Sequence, residues 1–205
     1  MARIASSMEI KKKFFIVIGR SGSGKGTQVE LLSEYLTNQG NEVKSFSTGQ
    51  ALRAFATYPS FTAQKVKEVI DGGGLCPEYV AIWNWVNLLI NNISNNTTAI
   101  LDGAPRRLEE AHILETAVDF YQYDDVHVIY LNVSHDWAMD RLLSRGREDD
   151  IRSGVEKRLE WFDREVLPIV EYYSKNTKYK FLDINGMQSI ENVHNEIINK
   201  INNVS

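Results

Sequence analysis

Cysteine, proline and long apolar runs are scarce in this sequence. Its 205 residues include four prolines and one cysteine, Cys76, which cannot form an intrachain disulfide. A lone thiol fits a reducing compartment, so we expect a cytoplasmic protein. No stretch reaches the roughly 18 uninterrupted apolar residues of a membrane-spanning helix, and the N-terminus lacks the apolar core of a signal peptide. We therefore expect no membrane segment and a loose tail over residues 1–10.

Excess positive charge is also absent. Lysine and arginine total 23 against 27 aspartate and glutamate residues, which leaves a formal net charge of −4. This balance argues against a globally basic nucleic-acid-binding protein, and no nucleic acid is expected as a partner. A hydrophobic share of 43% is enough to build a sizeable core and argues against a disordered chain. Because no exposed apolar stripe is obvious, we expect a monomer.

Short apolar runs alternate with helical patterns along the chain. The predicted strands are Phe14–Ile18, Glu42–Phe46, Thr98–Leu101, Val126–Val133 and Tyr179–Ile184. Four of them are nearly continuous apolar runs, which is typical of strands covered on both faces of a parallel sheet. Apolar residues at helical spacing lie between them, including one stripe from Val155 to Ile169. The alternation predicts an α/β fold, a three-layer α/β/α sandwich around a parallel five-stranded sheet.

A glycine-rich loop with a lysine follows the first predicted strand. Residues 19–27 read GRSGSGKGT, which places G-x-x-x-x-G-K between a strand and a helix, the context of a phosphate-binding P-loop. Glycines let successive backbone N–H groups point into one concavity, and the helix N-terminus adds positive potential. The candidate ATP-binding residues in this cradle are Gly22, Ser23, Gly24, Lys25, Gly26 and Thr27.

The residue that follows the lysine of this loop affects how a magnesium ion could be held. The general motif has Ser or Thr directly after the lysine as a magnesium ligand, whereas this chain has Gly26 there and Thr27 next. Phosphate oxygens and waters would then hold most of an Mg²⁺ ion, which dehydrates reluctantly. Asp102 ends the third predicted strand beside the cradle, so we expect it to contact Mg²⁺ through water.

Four further segments, taken with the loop, resemble the adenylate kinase family of nucleoside monophosphate kinases. The loop GRSGSGKGTQ is similar to that family's G-x-P/S-G-x-G-K-G-T-Q, and residues 47–53, STGQALR, are similar to S-T-G-D/E-L-L-R. Residues 102–106, DGAPR, resemble D-G-F/Y-P-R. Residues 145–150, RGREDD, and 157–159, KRL, resemble R-G-R-x-D-D and a later K-R-L. The ordered series covers residues 14 to about 175.

The resemblance implies one P-loop kinase domain over residues 1–205. An acceptor-binding flap would span about 47–79, and a short lid about 145–151 would cover the transferred phosphate. The implied reaction is reversible phosphoryl transfer from ATP to a nucleoside monophosphate, with Mg²⁺ as cofactor.

The resemblance also implies roles for individual residues. Arg141 would flank the donor base, and Asp149 and Asp150 would close the lid by accepting hydrogen bonds from arginines. The implied catalytic residues are Lys25, Arg106, Arg145, Arg147 and Arg158. The implied acceptor-binding residues are Thr48, Gly49, Arg53, Leu75, Cys76, Gly103, Arg106 and Glu110.

The chemistry of phosphoryl transfer agrees with a site built from cations. The transition state spreads charge over the equatorial oxygens, so catalysis is mainly alignment and electrostatic stabilisation. The acceptor phosphate is already an anion at neutral pH, with a second pKa near ~6, and needs no general base. The four histidines accordingly form no recognisable dyad and are read as surface or packing residues.

Glu110 leaves the acceptor base open. The adenylate branch usually has a glutamine at this position, whose amide both donates to and accepts from adenine. An ionised glutamate only accepts, and would suit the N1–H and N2–H₂ of guanine or the amino group of cytosine better. AMP is the leading acceptor by resemblance, with GMP or a pyrimidine monophosphate second. A regulatory nucleotide-binding module without turnover and a P-loop kinase for a non-nucleotide metabolite are the other classes considered.

Overall fold

The central sheet of the protein is built from five parallel strands. The structure is a computed structural model that describes residues 12–146 and 150–203. The strands are β1 (Lys13–Gly19), β2 (Glu42–Ser47), β3 (Thr97–Asp102), β4 (Asp125–Asn132) and β5 (Lys180–Asn185). Their spatial order is β2-β3-β1-β4-β5, and every neighbouring pair is parallel. Each predicted strand is present, with boundaries within one residue of those expected.

Helices cover both faces of this sheet. They are α1 (Lys25–Asn38), α2 (Thr48–Phe55), α3 (Phe61–Asp71), α4 (Glu78–Asn92), α5 (Leu108–Phe120), α6 (His135–Arg145), α7 (Arg152–Trp161), α8 (Leu167–Lys175) and α9 (Ile190–Asn203). Alternate β1 residues face opposite layers: Phe15 and Val17 pack with the apolar residues of α1 and α9, whereas Phe14 and Ile16 pack with those of α4, α5 and α8. The predicted three-layer α/β/α sandwich is confirmed.

The stripe from Val155 to Ile169 is not one regular helix. A π-helical turn, Phe162–Val166, separates α7 from α8, and Pro168 lies in the first turn of α8. Proline has no backbone N–H and its ring clashes with the carbonyl group four residues earlier, so regular hydrogen bonding cannot pass through this position. The apolar spacing survives the interruption, with Phe162, Val166 and Ile169 all buried.

The strand order places a crevice at the carboxyl edge of the sheet. The chain leaves β1 toward β2 on one side, and leaves its neighbour β4 toward β5 on the other side. Such a reversal opens a gap between the two connections, where ligands of open α/β sheets bind. The glycine-rich loop follows β1, and α6 follows β4, so both border this gap.

The helices are also too short to cross a bilayer. Among the residues described here, no helix combines the length and the apolar character that a membrane-spanning segment requires.

Candidate functional site

The loop between β1 and α1 is shaped by glycines. Gly22 and Gly24 have φ angles of 85° and 91°, in the left-handed region that side chains disfavour. A Cβ atom on Gly22 would also lie 2.8 Å from the carbonyl oxygen of Ala138 in α6. Gly24 is the N-cap of α1, so the loop leads directly into a helix N-terminus. This is the strand–loop–helix context that the sequence motif requires.

Lys25 lies at the first position of α1 and folds back over the loop. Its Nζ donates hydrogen bonds to the carbonyl oxygens of Gly19 and Arg20, at 2.7 Å and 2.9 Å. Burial lowers the pKa of this ammonium group to about 8; Asp102 opposes the shift, and Arg106 and Arg145 add to it. An anion bound among these cations would relieve both the desolvation and the repulsion.

A cavity of about 670 Å³ lies beside this lysine at the carboxyl edge of the sheet. That volume is within the usual range for small-molecule sites. Most of the predicted site residues line it: Gly22, Gly24, Lys25, Gly26, Thr27, Gly49, Arg53, Cys76, Asp102, Gly103, Arg106, Arg141, Arg145 and Arg158. Cationic side chains from α1, α2, α6, α7 and the loop before α5 thus share one cavity.

Two of the arginines approach one backbone position from different elements. A Cβ atom on Gly49, in α2, would lie 3.6 Å from Arg53 Nη1 and 3.7 Å from Arg106 Nη2. Arg106 Nε donates to the carbonyl oxygen of Gly103 at 2.7 Å, and its guanidinium carbon lies 5.7 Å from the centre of the Trp161 ring. Both guanidinium groups therefore flank the same part of the cavity, as recognition of one phosphate requires.

A carboxylate joins two further arginines at the cavity wall. Asp150 accepts hydrogen bonds from Nε and Nη2 of Arg145, at 2.8 Å and 2.9 Å, and lies 3.0 Å from Nη2 of Arg158. Burial alone would raise the pKa of Asp150, but the hydrogen bonds and charges of the two arginines outweigh it and hold the pKa below its usual value. The end of α6 is thereby tied to the last turn of α7 by charge.

Asp102 lies at the tip of β3, paired in register with Val17 of β1 and Ser47 of β2. Its Oδ2 accepts a hydrogen bond from Ser47 Oγ at 3.2 Å, whereas its buried Oδ1 has no hydrogen-bond partner among the described residues. An unpartnered carboxylate oxygen beside a phosphate cradle fits the water shell of a hard cation. The residues present therefore suit Mg²⁺ held through water.

A narrow side cleft opens from the main cavity between α2, α4 and α5. Its volume is only about 10 Å³, and it shares Leu52, Cys76, Gly103 and Arg106 with the main cavity. Three predicted acceptor residues line it and not the main cavity: Thr48, Leu75 and Glu110.

Thr48 is held firmly at this junction. Its single O–H lies within hydrogen-bond distance of the carbonyl oxygens of both Asp102 and Gly103, at 3.0 Å and 2.9 Å. Asn84 Nδ2 donates to the carbonyl oxygen of Thr48 at 3.1 Å. The start of α2 is therefore fixed to both β3 and α4.

Ser23 and Arg147 are placed differently from the other predicted residues. Ser23 is buried within the loop, lines neither cavity, and its Oγ has no hydrogen-bond partner among residues 12–146 and 150–203. Arg147 and Asp149 lie outside the described residues.

Sequence reasoning missed Trp161 and Asn84. Trp161 lines the main cavity, faces Arg106, and donates from Nε1 to the carbonyl oxygen of Gly73 at 3.2 Å. It ends α7 and is part of no motif, so no local signal distinguishes it from a core tryptophan. Asn84 is a polar residue inside an apolar helical stretch. Its position could have predicted a buried hydrogen bond, because buried polar groups almost always have a partner.

The fold and the cation-lined cavity beside the glycine-rich loop together define a P-loop phosphotransferase-like α/β protein. A family model described as adenylate kinase matches residues 17–178. Adenylate kinase 1 of Nostoc sp. is 33% identical over 182 residues, which cover 89% of this chain and 95% of that protein. Adenylate kinase of Encephalitozoon cuniculi is 33% identical over 191 residues, which cover 92% and 97% of the two chains.

The chain belongs to the adenylate kinase family. The family assignment made from the sequence motifs is confirmed, and the enzyme class that it implied, an ATP:nucleoside-monophosphate phosphotransferase, follows from this membership.

Proposed function

We propose that this protein is an adenylate kinase, which transfers the terminal phosphoryl group of ATP reversibly to AMP. One observation carries the proposal: Lys25, Arg53, Arg106, Arg141, Arg145 and Arg158 all line a single cavity beside the phosphate loop. A protein that bound a single nucleotide would have little need of six cationic side chains around one cavity.

In this proposal the loop holds the donor. Backbone N–H groups of residues 22–27 and the N-terminus of α1 bind the phosphates of ATP, and Lys25 exchanges its bonds to Gly19 and Arg20 for phosphate oxygens. Arg141 lies on α6 at the cavity wall with its guanidinium carbon 4.9 Å from the centre of the Trp137 ring. From there it flanks the donor nucleoside.

The acceptor lies on the opposite side. Arg53 and Arg106 hold its α-phosphate, because their guanidinium groups flank the same backbone position at Gly49. The base extends toward the side cleft, past Thr48, Leu75, Cys76 and Gly103, to Glu110. A cleft of about 10 Å³ cannot hold a base, so the flap over residues 47–79 must move outward on entry.

Arg145 and Arg158 stabilise the phosphoryl group in flight. Asp150 holds both guanidinium groups at one wall of the cavity before substrate arrives, so little reorganisation is needed when charge develops on the equatorial oxygens. Arg147 is proposed for the same set from its place in the short lid, about 145–151. Closure of flap and lid would exclude water and suppress hydrolysis.

Mg²⁺ is the proposed cofactor. When bound, the ion would neutralise charge on the phosphates of ATP and align them for transfer. The protein's part is to hold its water shell through Asp102, whose orientation Ser47 sets from β2.

We also propose a cytoplasmic location for this protein. Cys76 is a buried free cysteine, which supports a cytoplasmic protein, and we retain the monomer as the working state.

One substrate panel tests the function. Purified protein with ATP and Mg²⁺ is offered AMP, GMP, CMP, UMP and their deoxy forms, and diphosphate formation is followed. We expect rapid ADP formation with AMP and loss of activity with a chelator. Turnover with GMP alone would favour a GMP kinase in which an ionised Glu110 accepts hydrogen bonds from guanine. ATP binding without turnover on any acceptor would favour a regulatory module.

A further inference from the structure

Glu110 is a buried carboxyl group at the inner end of the side cleft. It lies in the first turn of α5 and is 1% exposed. Its Oε2 receives one hydrogen bond, from Trp85 Nε1 at 3.3 Å, and its Oε1 has no hydrogen-bond partner among the described residues. The cleft joins the cavity that receives the acceptor phosphate. This carboxyl group therefore has one oxygen still available to a ligand in the cleft.

The groups around Glu110 influence its protonation in opposite directions. Burial raises the pKa of Glu110, while the charges of Arg106 and Arg107 and hydrogen bonds from Trp85 and the Arg106 backbone lower it. Arg107 Nη1 is 3.9 Å from Oε1, but its hydrogen bond goes to the carbonyl oxygen of Cys76 and its Nε lies 3.6 Å from Glu78.

The other residues that line the cleft add no further charge, so burial remains the largest influence on the pKa of Glu110. The cleft is lined from α2 by Thr48 and Leu52, and from α4 by Ala81, Asn84 and Trp85. The thiol of Cys76, which precedes α4, also lines it, and burial raises the pKa of this thiol as well. The net pKa of Glu110 is therefore raised above its ordinary value in spite of two nearby arginines.

The edge of adenine demands a donor and an acceptor side by side. Its N1 carries a lone pair and its N6 carries N–H donors. An ionised carboxylate could accept from N6 but would face N1 with a second lone pair, and a base entering the cleft would remove any remaining water from this contact. A protonated carboxyl group has one O–H donor and one acceptor oxygen, the same pair that a glutamine amide presents.

We propose that Glu110 binds the acceptor adenine in its protonated form, so that AMP binding takes up one proton at this carboxyl group. The inference rests on the proposed function, because it concerns the base of the acceptor. The proton comes from solvent when AMP binds and returns there when the nucleotide leaves. Above the pKa of the free carboxyl group, AMP binding weakens with rising pH, and the chain thereby reads adenine without a glutamine.

The test is the number of protons exchanged on binding. Titration calorimetry of AMP into the protein, in buffers of different ionisation enthalpy across pH 6–9, reports this number directly. The wild type should take up close to one proton more than Glu110→Gln at the alkaline end of the range. Proton exchange by the AMP phosphate and by Lys25 is common to both proteins, so the difference isolates residue 110. Glu109→Gln, an exposed neighbour on α5, should behave as wild type.

Kinetics provide a second readout on the same proteins. The KM for AMP of the wild type should rise by up to about tenfold per pH unit relative to Glu110→Gln once the free carboxyl group ionises. Equal proton uptake by both proteins across the range, with parallel KM profiles, would overturn the inference while leaving adenylate kinase activity intact. Absence of ADP formation from AMP by wild type and variant alike would instead overturn the proposed function.

Discussion

Asp150 accepts both hydrogen bonds of the Arg145 guanidinium fork, with N···O distances of 2.8 Å and 2.9 Å. The same carboxylate lies 3.0 Å from Arg158 on α7. Two cations that would otherwise repel each other are thus held close together by one carboxylate. The two guanidinium groups are therefore preorganised. Phosphoryl transfer needs no general base, so such alignment of cations is the main way in which an enzyme can accelerate it.

Asp150→Asn should loosen this pair of arginines. We expect kcat to fall by about tenfold or more, because each charge-assisted hydrogen bond is worth about 1.5–3 kcal/mol. Steady-state kinetics check this, with Glu171→Gln as control because its ion pair with Lys175 is exposed. A loss of kcat as large in the control as in the variant would contradict the prediction.

The same substitution should flatten the acid limb of the stability profile. The pKa of Asp150 is lowered in the folded state, so its contribution is present above the usual value of 3.8 and is lost as pH falls through the lowered pKa. Urea unfolding between neutral pH and pH 3 measures the difference. Wild type and Asp150→Asn should differ most near neutrality, and the difference should narrow once the pH falls below 3.8.

Lys25→Met should abolish transfer and stabilise the fold. The folded-state pKa of Lys25 is lowered from 10.5 to about 8, so carrying this charge opposes folding below pH 8, and the penalty is relieved as pH rises toward 10.5. At pH 7 we expect the free energy of unfolding to increase by about 1–3 kcal/mol, after allowing for the two lost hydrogen bonds. Unfolding at pH 10 is the check, because the gain should shrink there; an equal gain at both values would contradict the charge explanation.

Arg106→Ala should lose far more activity than stability. By comparison with arginines that stabilise phosphoryl transfer, kcat/KM for AMP should fall by about 10³-fold or more. The loss of one hydrogen bond to Gly103 and the contact with Trp161 should lower unfolding free energy by only about 1 kcal/mol. Kinetics and urea unfolding are compared with Arg152→Ala, whose side chain is exposed. Unfolding of the Arg106 variant at 25 °C would make this arginine structural.

Gly73→Ala should separate the proposed flap from α7. Gly73 has a φ of 70°, which disfavours any side chain. A Cβ atom there would also overlap the backbone of Gly154, at 2.6 Å from its Cα. We expect a loss of about 1–3 kcal/mol in stability and a KM for AMP raised more than that for ATP, since the contact orders the acceptor side. Gly72→Ala is the matched control, because that residue has an ordinary φ of −76°. Similar KM changes in both variants would argue against a special role for residue 73.

Much of the fold and part of the site follow from short stretches of sequence. The five strands could be predicted because strands buried on both faces are continuous apolar runs, which Phe14–Ile18 illustrates. The phosphate loop could be predicted because its function depends on backbone geometry that only glycines at particular spacing allow, as at Gly22 and Gly24. Both signals are local, so one sequence is enough to read them.

Contacts between distant segments could not be predicted in this way. Trp161 meets Gly73 across 88 residues of chain, and its place in the cavity depends on how α7 packs against the loop that follows α3. The π-helical turn before Pro168 likewise left the apolar spacing of the stripe unchanged, so the pattern gave no sign of it.

The sequence alone determined that this chain binds phosphate on a parallel α/β sheet and belongs with nucleotide kinases, because loop conformation and strand burial are encoded by residue type at fixed spacing. The folded structure was needed to see that Arg53, Arg106 and Arg158 share a cavity with Lys25 and that Glu110 is buried beside it. The reason is physical: the charge state of a carboxyl group and the convergence of cations depend on which distant elements surround them, and packing sets that neighbourhood.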